Sequence, residues 1–178
     1  MWGGCEGPNA ACRSYPEDGV AFTPATGRWS PFDGPSGSGR IHHSFVTLGE
    51  NVWIFGGLAG RRDVLSSTYT LRSGTWTEID VPTAIAGRYG HSTVVTGEEA
   101  IVFGGCIRQG VVSCSEYANG GFRYADGTFT PLPPIPWEFA GRAFHTAVLQ
   151  GRQLMIWGGQ TSFRGVANDG AIFDLDTE

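Results

Sequence analysis

Apolar and polar residues alternate along this chain in short runs, and the runs are joined by turns that contain glycine. Alternation with a period of two puts one set of side chains on one face of a β-strand and the other set on the opposite face. Phe45–Leu48 is followed by Val52–Phe55, Thr93–Val95 by Ala100–Phe103, and Ala147–Leu149 by Leu154–Trp157, with joins such as Gly49-Glu50-Asn51 and Gly97-Glu98-Glu99. Each pair predicts a β-hairpin, whose strands are called A and B. A second hairpin, strands C and D, is predicted from Val20–Thr23 with Arg28–Ser30, Thr68–Leu71 with Thr75–Glu78, and Gly121–Tyr124 with Thr128–Thr130. Its turns centre on Gly27, Gly74 and Gly127, and an aromatic residue stands two positions beyond each: Trp29, Trp76 and Phe129. No stretch of about a dozen residues carries an apolar period of 3.6, so almost no helix is expected.

These hairpins recur between fixed signposts. Gly39-Arg40-Ile41-His42-His43-Ser44 returns as Gly87-Arg88-Tyr89-Gly90-His91-Ser92 and as Gly141-Arg142-Ala143-Phe144-His145-Thr146. From His43, His91 and His145 it is thirteen residues to the diglycines Gly56-Gly57, Gly104-Gly105 and Gly158-Gly159. Constant spacing in three copies marks an internal repeat of about fifty residues. A Gly-Arg-x-x-His-Ser opening, an apolar strand, a diglycine and an aromatic strand with tryptophan resemble the kelch repeat over essentially the whole chain, with Phe129 in place of one tryptophan. The resemblance implies an all-β fold: a kelch-type β-propeller in which each repeat forms one four-stranded antiparallel blade.

Trp2-Gly3-Gly4 matches Trp157-Gly158-Gly159, and Phe173–Thr177 matches Phe22–Thr26. Residues 1–178 therefore read as part of one propeller domain that opens at the end of a strand B and stops within a strand C. The expected organisation is a partial blade over 1–38, whole blades over 39–86 and 87–140, and a partial blade over 141–178. Propellers typically close with about four to eight blades. Two whole and two partial blades predict an incomplete propeller, completed by remaining blades of a longer chain or, alternatively, by association of copies. Unpaired edges at its ends are an expected aggregation liability.

Composition narrows the function classes. The 28 glycines are about twice the ordinary share, and the charged fraction of 16% is low. A net charge of −5 argues against nucleic acid as a partner held by bulk positive potential. All twelve basic residues are arginine. No apolar run approaches the ~18 residues needed to cross a membrane, so no membrane insertion is expected. Met1–Cys5 does not read as a signal peptide.

An antiparallel A-B-C-D order places the start of A, the end of B, the start of C and the end of D on one face. The A–B and C–D turns occupy the other, which reads as scaffold. The first face holds the variable connections: from diglycine to strand-D aromatic is 26, 20 and 25 residues, and variable loops on a constant scaffold usually carry binding. Residues that occur once there include Arg61, Arg62, Asp63, Arg108, Gln109, Glu116, Tyr117, Trp137, Glu138, Phe163 and Arg164. Arginine interleaved with aromatics is the composition of recognition hot spots and also suits carboxylate or sugar ligands. The binding residues singled out are Arg61, Arg62, Arg108, Tyr117, Trp137 and Arg164; the plainer alternative is local pairing with the acidic residues of the same loops. The repeated Arg40, Arg88, Arg142, His43, His91 and His145 recur once per blade, which suits ties between blades better than a single catalytic constellation. The diglycines belong with them, because glycine is needed where backbones approach closely or φ is positive.

Cys5 and Cys106 each follow a diglycine directly, with Cys12 and Cys114 seven and eight residues later in the same B–C connection. Two equivalent local pairs predict disulfides Cys5–Cys12 and Cys106–Cys114, and disulfides point to an extracellular or cell-surface setting. Zinc is disfavoured by the absence of C-x-x-C spacing, and no cofactor or other metal is expected. The leading functional expectation is a non-catalytic kelch-repeat binding module whose partner is a protein or glycan. One alternative is an enzyme resembling kelch-type copper oxidases or sugar-acid epimerases; copper would need His and Tyr converging near the axis. His42, the one histidine outside the repeated position, points away from His43 if that stretch is extended. A structural spacer in a larger surface protein is the other alternative.

Overall fold

The structure is a computed structural model that describes residues 1–7, 12–60, 62–111, 113–133, 139–162 and 165–176. Asp18–Thr23 (β1) and Arg28–Asp33 (β2) form the first sheet. Ser44–Leu48 (β3) and Asn51–Phe55 (β4) then pair with each other; a short hairpin of Leu58–Ala59 (β5) and Asp63–Val64 (β6) precedes Thr68–Arg72 (β7) and Thr75–Ile79 (β8). The next repeat runs Ser92–Thr96 (β9), Glu99–Phe103 (β10), the hairpin Cys106–Gln109 (β11) and Cys114–Tyr117 (β12), then Gly121–Ala125 (β13) and Thr128–Pro131 (β14). Thr146–Gln150 (β15), Gln153–Trp157 (β16), the hairpin Gln160–Thr161 (β17) and Gly165–Val166 (β18), and Gly170–Asp174 (β19) complete the order. The second and third sheets are four-stranded, β3-β4-β7-β8 and β9-β10-β13-β14; the fourth is β15-β16-β19, and every pairing is antiparallel.

Residue choice accounts for the register. In the C–D turns of the second and third sheets, Ser73-Gly74 and Asp126-Gly127 all have positive φ, the geometry of two-residue turns that match strand twist. Strands β4 and β10 are apolar almost throughout because both their faces are covered. On one face of β4, Trp53 stacks on Tyr124 at 4.9 Å and Phe55 meets Phe122 edge-on at 4.8 Å. Leu48, Ala100 and Val102 complete that core. On the far face of β10, Ile101 and Phe103 pack with Leu154 and Ile156 of the fourth sheet. Each such aromatic or aliphatic side chain, fully buried, contributes on the order of 1.5–3 kcal/mol.

The first strands of successive sheets touch one another, β3 with β9 and β9 with β15, so the sheets radiate from a hub lined by strand A. At the hub, the Gly90 N–H donates to the His42 carbonyl at 2.9 Å and the Phe144 N–H donates to the Gly90 carbonyl at 2.7 Å. Two outward-looking sheet faces stay apolar: Trp157 and Ile172 on the fourth sheet are 62% and 64% exposed, and Phe22 and Trp29 on the first are 47% and 60% exposed. An apolar cleft of ≈ 640 Å³ lies between the first and second sheets, lined by Phe32, Phe45, Leu71 and Trp76 among others.

Candidate loop-face binding site

The repeated residues form one joint, used at each boundary between sheets. The ring of His91 reaches back to Ser44 of the preceding sheet, Nε2 to Oγ at 2.7 Å, and His145 repeats this with Ser92 at 2.8 Å. The diglycine explains why the ring fits. A Cβ on Gly56 would stand 3.1 Å from the His91 ring and 2.5 Å from the Arg88 carbonyl; on Gly104 it would stand 2.7 Å from His145 and 2.5 Å from the Arg142 carbonyl. The second glycine is closed by its own repeat's histidine: Cβ atoms on Gly57, Gly105 and Gly159 would lie 2.9, 2.9 and 2.8 Å from the Cβ of His43, His91 and His145. Gly158 has the same positive φ, with only the Ala167 carbonyl near at 3.6 Å.

The arginine side chains join blade to blade less than expected. Each guanidinium makes most of its bonds within its own repeat and one to the carbonyl two residues back, the last of the preceding repeat. Arg40 donates to the carbonyls of Ser38, Gly56 and Ser67 at 2.7, 2.9 and 3.2 Å, and Arg88 and Arg142 repeat the pattern. Strand B ends beside the Gly56 carbonyl and strand C begins beside that of Ser67, so a rigid five-donor fork fastens two connections at once. What crosses to the neighbour is the arginine's own carbonyl, which accepts the N–H of Gly4, Gly57 or Gly105 at 3.0, 2.8 and 2.8 Å. Arg40, Arg88 and Arg142 lie on the expected face but are buried, and so are not among the side chains it presents.

The B–C connections hold hairpins of their own, and these carry the unique side chains. Exposed Arg62 lies between β5 and β6. On the next hairpin Arg108 forms an ion pair with Glu116 at 3.2 Å, both well exposed, and the Tyr89 hydroxyl donates to Gln109. Tyr117, half-buried, packs beside Tyr89, Cys106 and Ala143, and burial raises the pKa of both tyrosines. Because β6 packs against β11, the structure brings Arg62, Arg108 and Tyr117 onto adjoining hairpins. Arg61, Trp137 and Arg164, with Glu138 and Phe163, lie outside the described residues. Both predicted disulfides are present, Cys5–Cys12 and Cys106–Cys114.

His42 differs from its expectation. Its φ is +56°, so the stretch is not extended and the ring does not simply oppose His43. It lies instead 5.1 Å from Phe144 and 6.2 Å from Tyr89, which is 6.0 Å from Phe144: a cluster where the strands A begin. Beyond Tyr117 a groove of ≈ 310 Å³ separates the third repeat's hairpin from the fourth's, with Gln160, Thr161 and Ser162 on its far side. The opposite face also carries a cleft, of ≈ 330 Å³, between Trp53, Arg72, Glu98 and Asp126, where bare turns were expected. Among the described residues, no three of His, Cys, Asp and Glu come together as metal ligands would.

Hub, radiating four-stranded sheets and a repeated diglycine–histidine joint are features that comparison with known proteins can test. The family described as the KLHDC2/KLHL20/DRC7 Kelch-repeats domain matches residues 1–178. This chain belongs to the kelch-repeat family. Among solved structures, one titled "Structure of YjhT" superposes with a TM-score of 0.73 at 17% identity, over 92% of this chain and 51% of that one. At that identity the likeness speaks for the kelch fold alone, and the chain spans about half the length of its neighbour. No curated protein matches it.

Proposed function

We propose that this kelch chain is a non-catalytic binding module, secreted or held at the cell surface, that engages a protein or glycan through the face built by its B–C hairpins and D–A connections. The observation that carries the reading is the gathering of non-repeated side chains at one end of the hub. One face gathers Arg62, Arg108 and Tyr117 on hairpins, a groove beside them, and the His42–Tyr89–Phe144 cluster where the strands A begin. Both disulfides also lie in B–C connections, where cross-links hold a recognition surface in shape before the ligand arrives. Two disulfides favour an oxidising compartment. To the binding set we assign Arg61, Arg62, Arg108, Tyr117, Trp137 and Arg164.

The test is a variant with Arg61, Arg62, Arg108 and Trp137 all changed to alanine, presented beside the parent to arrays of extracellular proteins and glycans. Loss of capture with an unchanged unfolding temperature is expected. Capture that survives all four changes overturns the assignment.

A further inference from the structure

We infer that the groove between the hairpins β11–β12 and β17–β18 is a binding site for a neutral saccharide, with the Tyr117 ring as its stacking wall and the Gln160 amide and the Ser113 and Ser162 hydroxyls as its hydrogen-bonding set. This deepens the loop-face reading above and rests on it.

The volume of ≈ 310 Å³ stands at the small end of ligand sites, which run from about 300 to 1,000 Å³, and suits one or two sugar rings. The described lining is uncharged: Ser113, Tyr117, Gln160, Thr161, Ser162 and Val166 are representative. Among the described residues no guanidinium or carboxylate lines it, and the nearby Arg108 is paired with Glu116, so those residues offer nothing to select a phosphate or carboxylate. A sugar presents an apolar C–H face and a rim of hydroxyls; an aromatic ring beside amide and hydroxyl groups matches both.

A polypeptide is the rival ligand, and the backbone argues against it. Extended peptides are commonly held by adding to a strand edge. The edge of β17 is taken: the Gln160 N–H donates to the Ala143 carbonyl at 2.8 Å, and the Ala143 N–H donates to the Gln160 carbonyl at 3.0 Å. That leaves side chains as the chief polar offer on this wall.

The boundary between the second and third repeats is built differently. Between the second and third repeats the equivalent space is closed, because β6 packs directly on β11 and Leu58 and Val64 fill in beside Tyr89 and Cys106. That same apolar cluster supports Tyr117 from behind, and Cys106–Cys114 clips the two strands that carry it. The stacking wall is thus ordered before a ligand arrives, which lowers the entropic cost of binding.

The test titrates the oxidised full chain calorimetrically with maltose, lactose, cellobiose and diacetylchitobiose, with digalacturonate as the acidic counterpart. At least one neutral disaccharide should bind, and digalacturonate should gain nothing from its charge. Tyr117→Ala should weaken binding about tenfold, the size of a lost aromatic stack. Tyr117→Phe should retain it, and Gln160→Ala should weaken it several-fold, with unfolding temperatures unchanged. Absence of binding by every neutral disaccharide, or binding indifferent to Tyr117→Ala, overturns the inference. The reading beneath it is tested separately. If disaccharides fail while the loop face captures a protein, only the saccharide site falls; if they bind the Arg61/Arg62/Arg108/Trp137 variant as well as the parent, the site stands and the arginine-based assignment falls.

Discussion

Acid should unfasten this chain through its three joint histidines. His43, His91 and His145 are held below their ordinary value of 6.5, first by burial and then by neighbouring arginine, to about 4, about 3 and about 4. Above pH 6.5 folded and unfolded chains both carry these rings neutral, and stability is unaffected. As pH falls below 6.5 the unfolded chain takes up a proton on each ring that the folded chain refuses until about pH 4 or 3, so stability falls with pH across that window. Each ring in that state costs about 1.4 kcal/mol per pH unit. Between pH 7 and pH 5 that is about 2 kcal/mol per histidine and about 6 kcal/mol for the three, comparable with the whole stability of a small domain. Urea unfolding at half-unit steps from pH 7 to 5 measures it. His91→Gln should lower stability at pH 7, through loss of the Ser44 contact, yet flatten the pH slope by about one proton in three. A stability that stays level down to pH 5, or a His91→Gln protein with the parent's full slope, would refute the account.

Two further outcomes follow from the joint and the clips. Gly104→Ala should cost at least about 2 kcal/mol, from strain at a left-handed φ and collision with the Arg142 carbonyl, whereas the same change at Gly127, with equally positive φ but open space, should cost only the strain; equal losses in chemical unfolding would contradict the close-approach argument. The native unreduced protein should show no reactive thiols, and changing Cys106 and Cys114 together to serine should remove about 2 to 3 kcal/mol by the loop-entropy estimate; four titratable thiols in the native protein would also remove the ground for an oxidising compartment.

The parts legible in the sequence are those that repeat. Strands A to D could be placed because alternation, diglycine and turn glycine coincide in every copy, and the core followed, since Trp53, Phe55, Phe122 and Tyr124 sit at alternating positions. The B–C hairpins were not legible: β5, β6, β17 and β18 are two residues each, too short for a period of two to show. Only the spacing of Cys106 and Cys114 hinted that this connection doubles back. His42 was misplaced because alternation presumes extended backbone; the signal was Gly90 at the equivalent position, where glycine tolerates the left-handed φ that His42 and Phe144 also adopt. Gln160 escaped notice because the position after a diglycine drew attention only where cysteine fills it, and its importance comes only from where Ala143 pins it. The buried state of Arg40, Arg88 and Arg142 was hidden for a different reason: composition counts arginines without showing which ones are spent on carbonyls.

The diglycine–histidine joint has a consequence for how such chains change over generations. Every copy carries both the socket and the plug, so excising one complete unit between equivalent points brings together two ends that already fit. Duplication does the same in reverse. Lengthening or shortening the array needs no new contact to be invented, and the hairpins above the joint are left to diverge one by one.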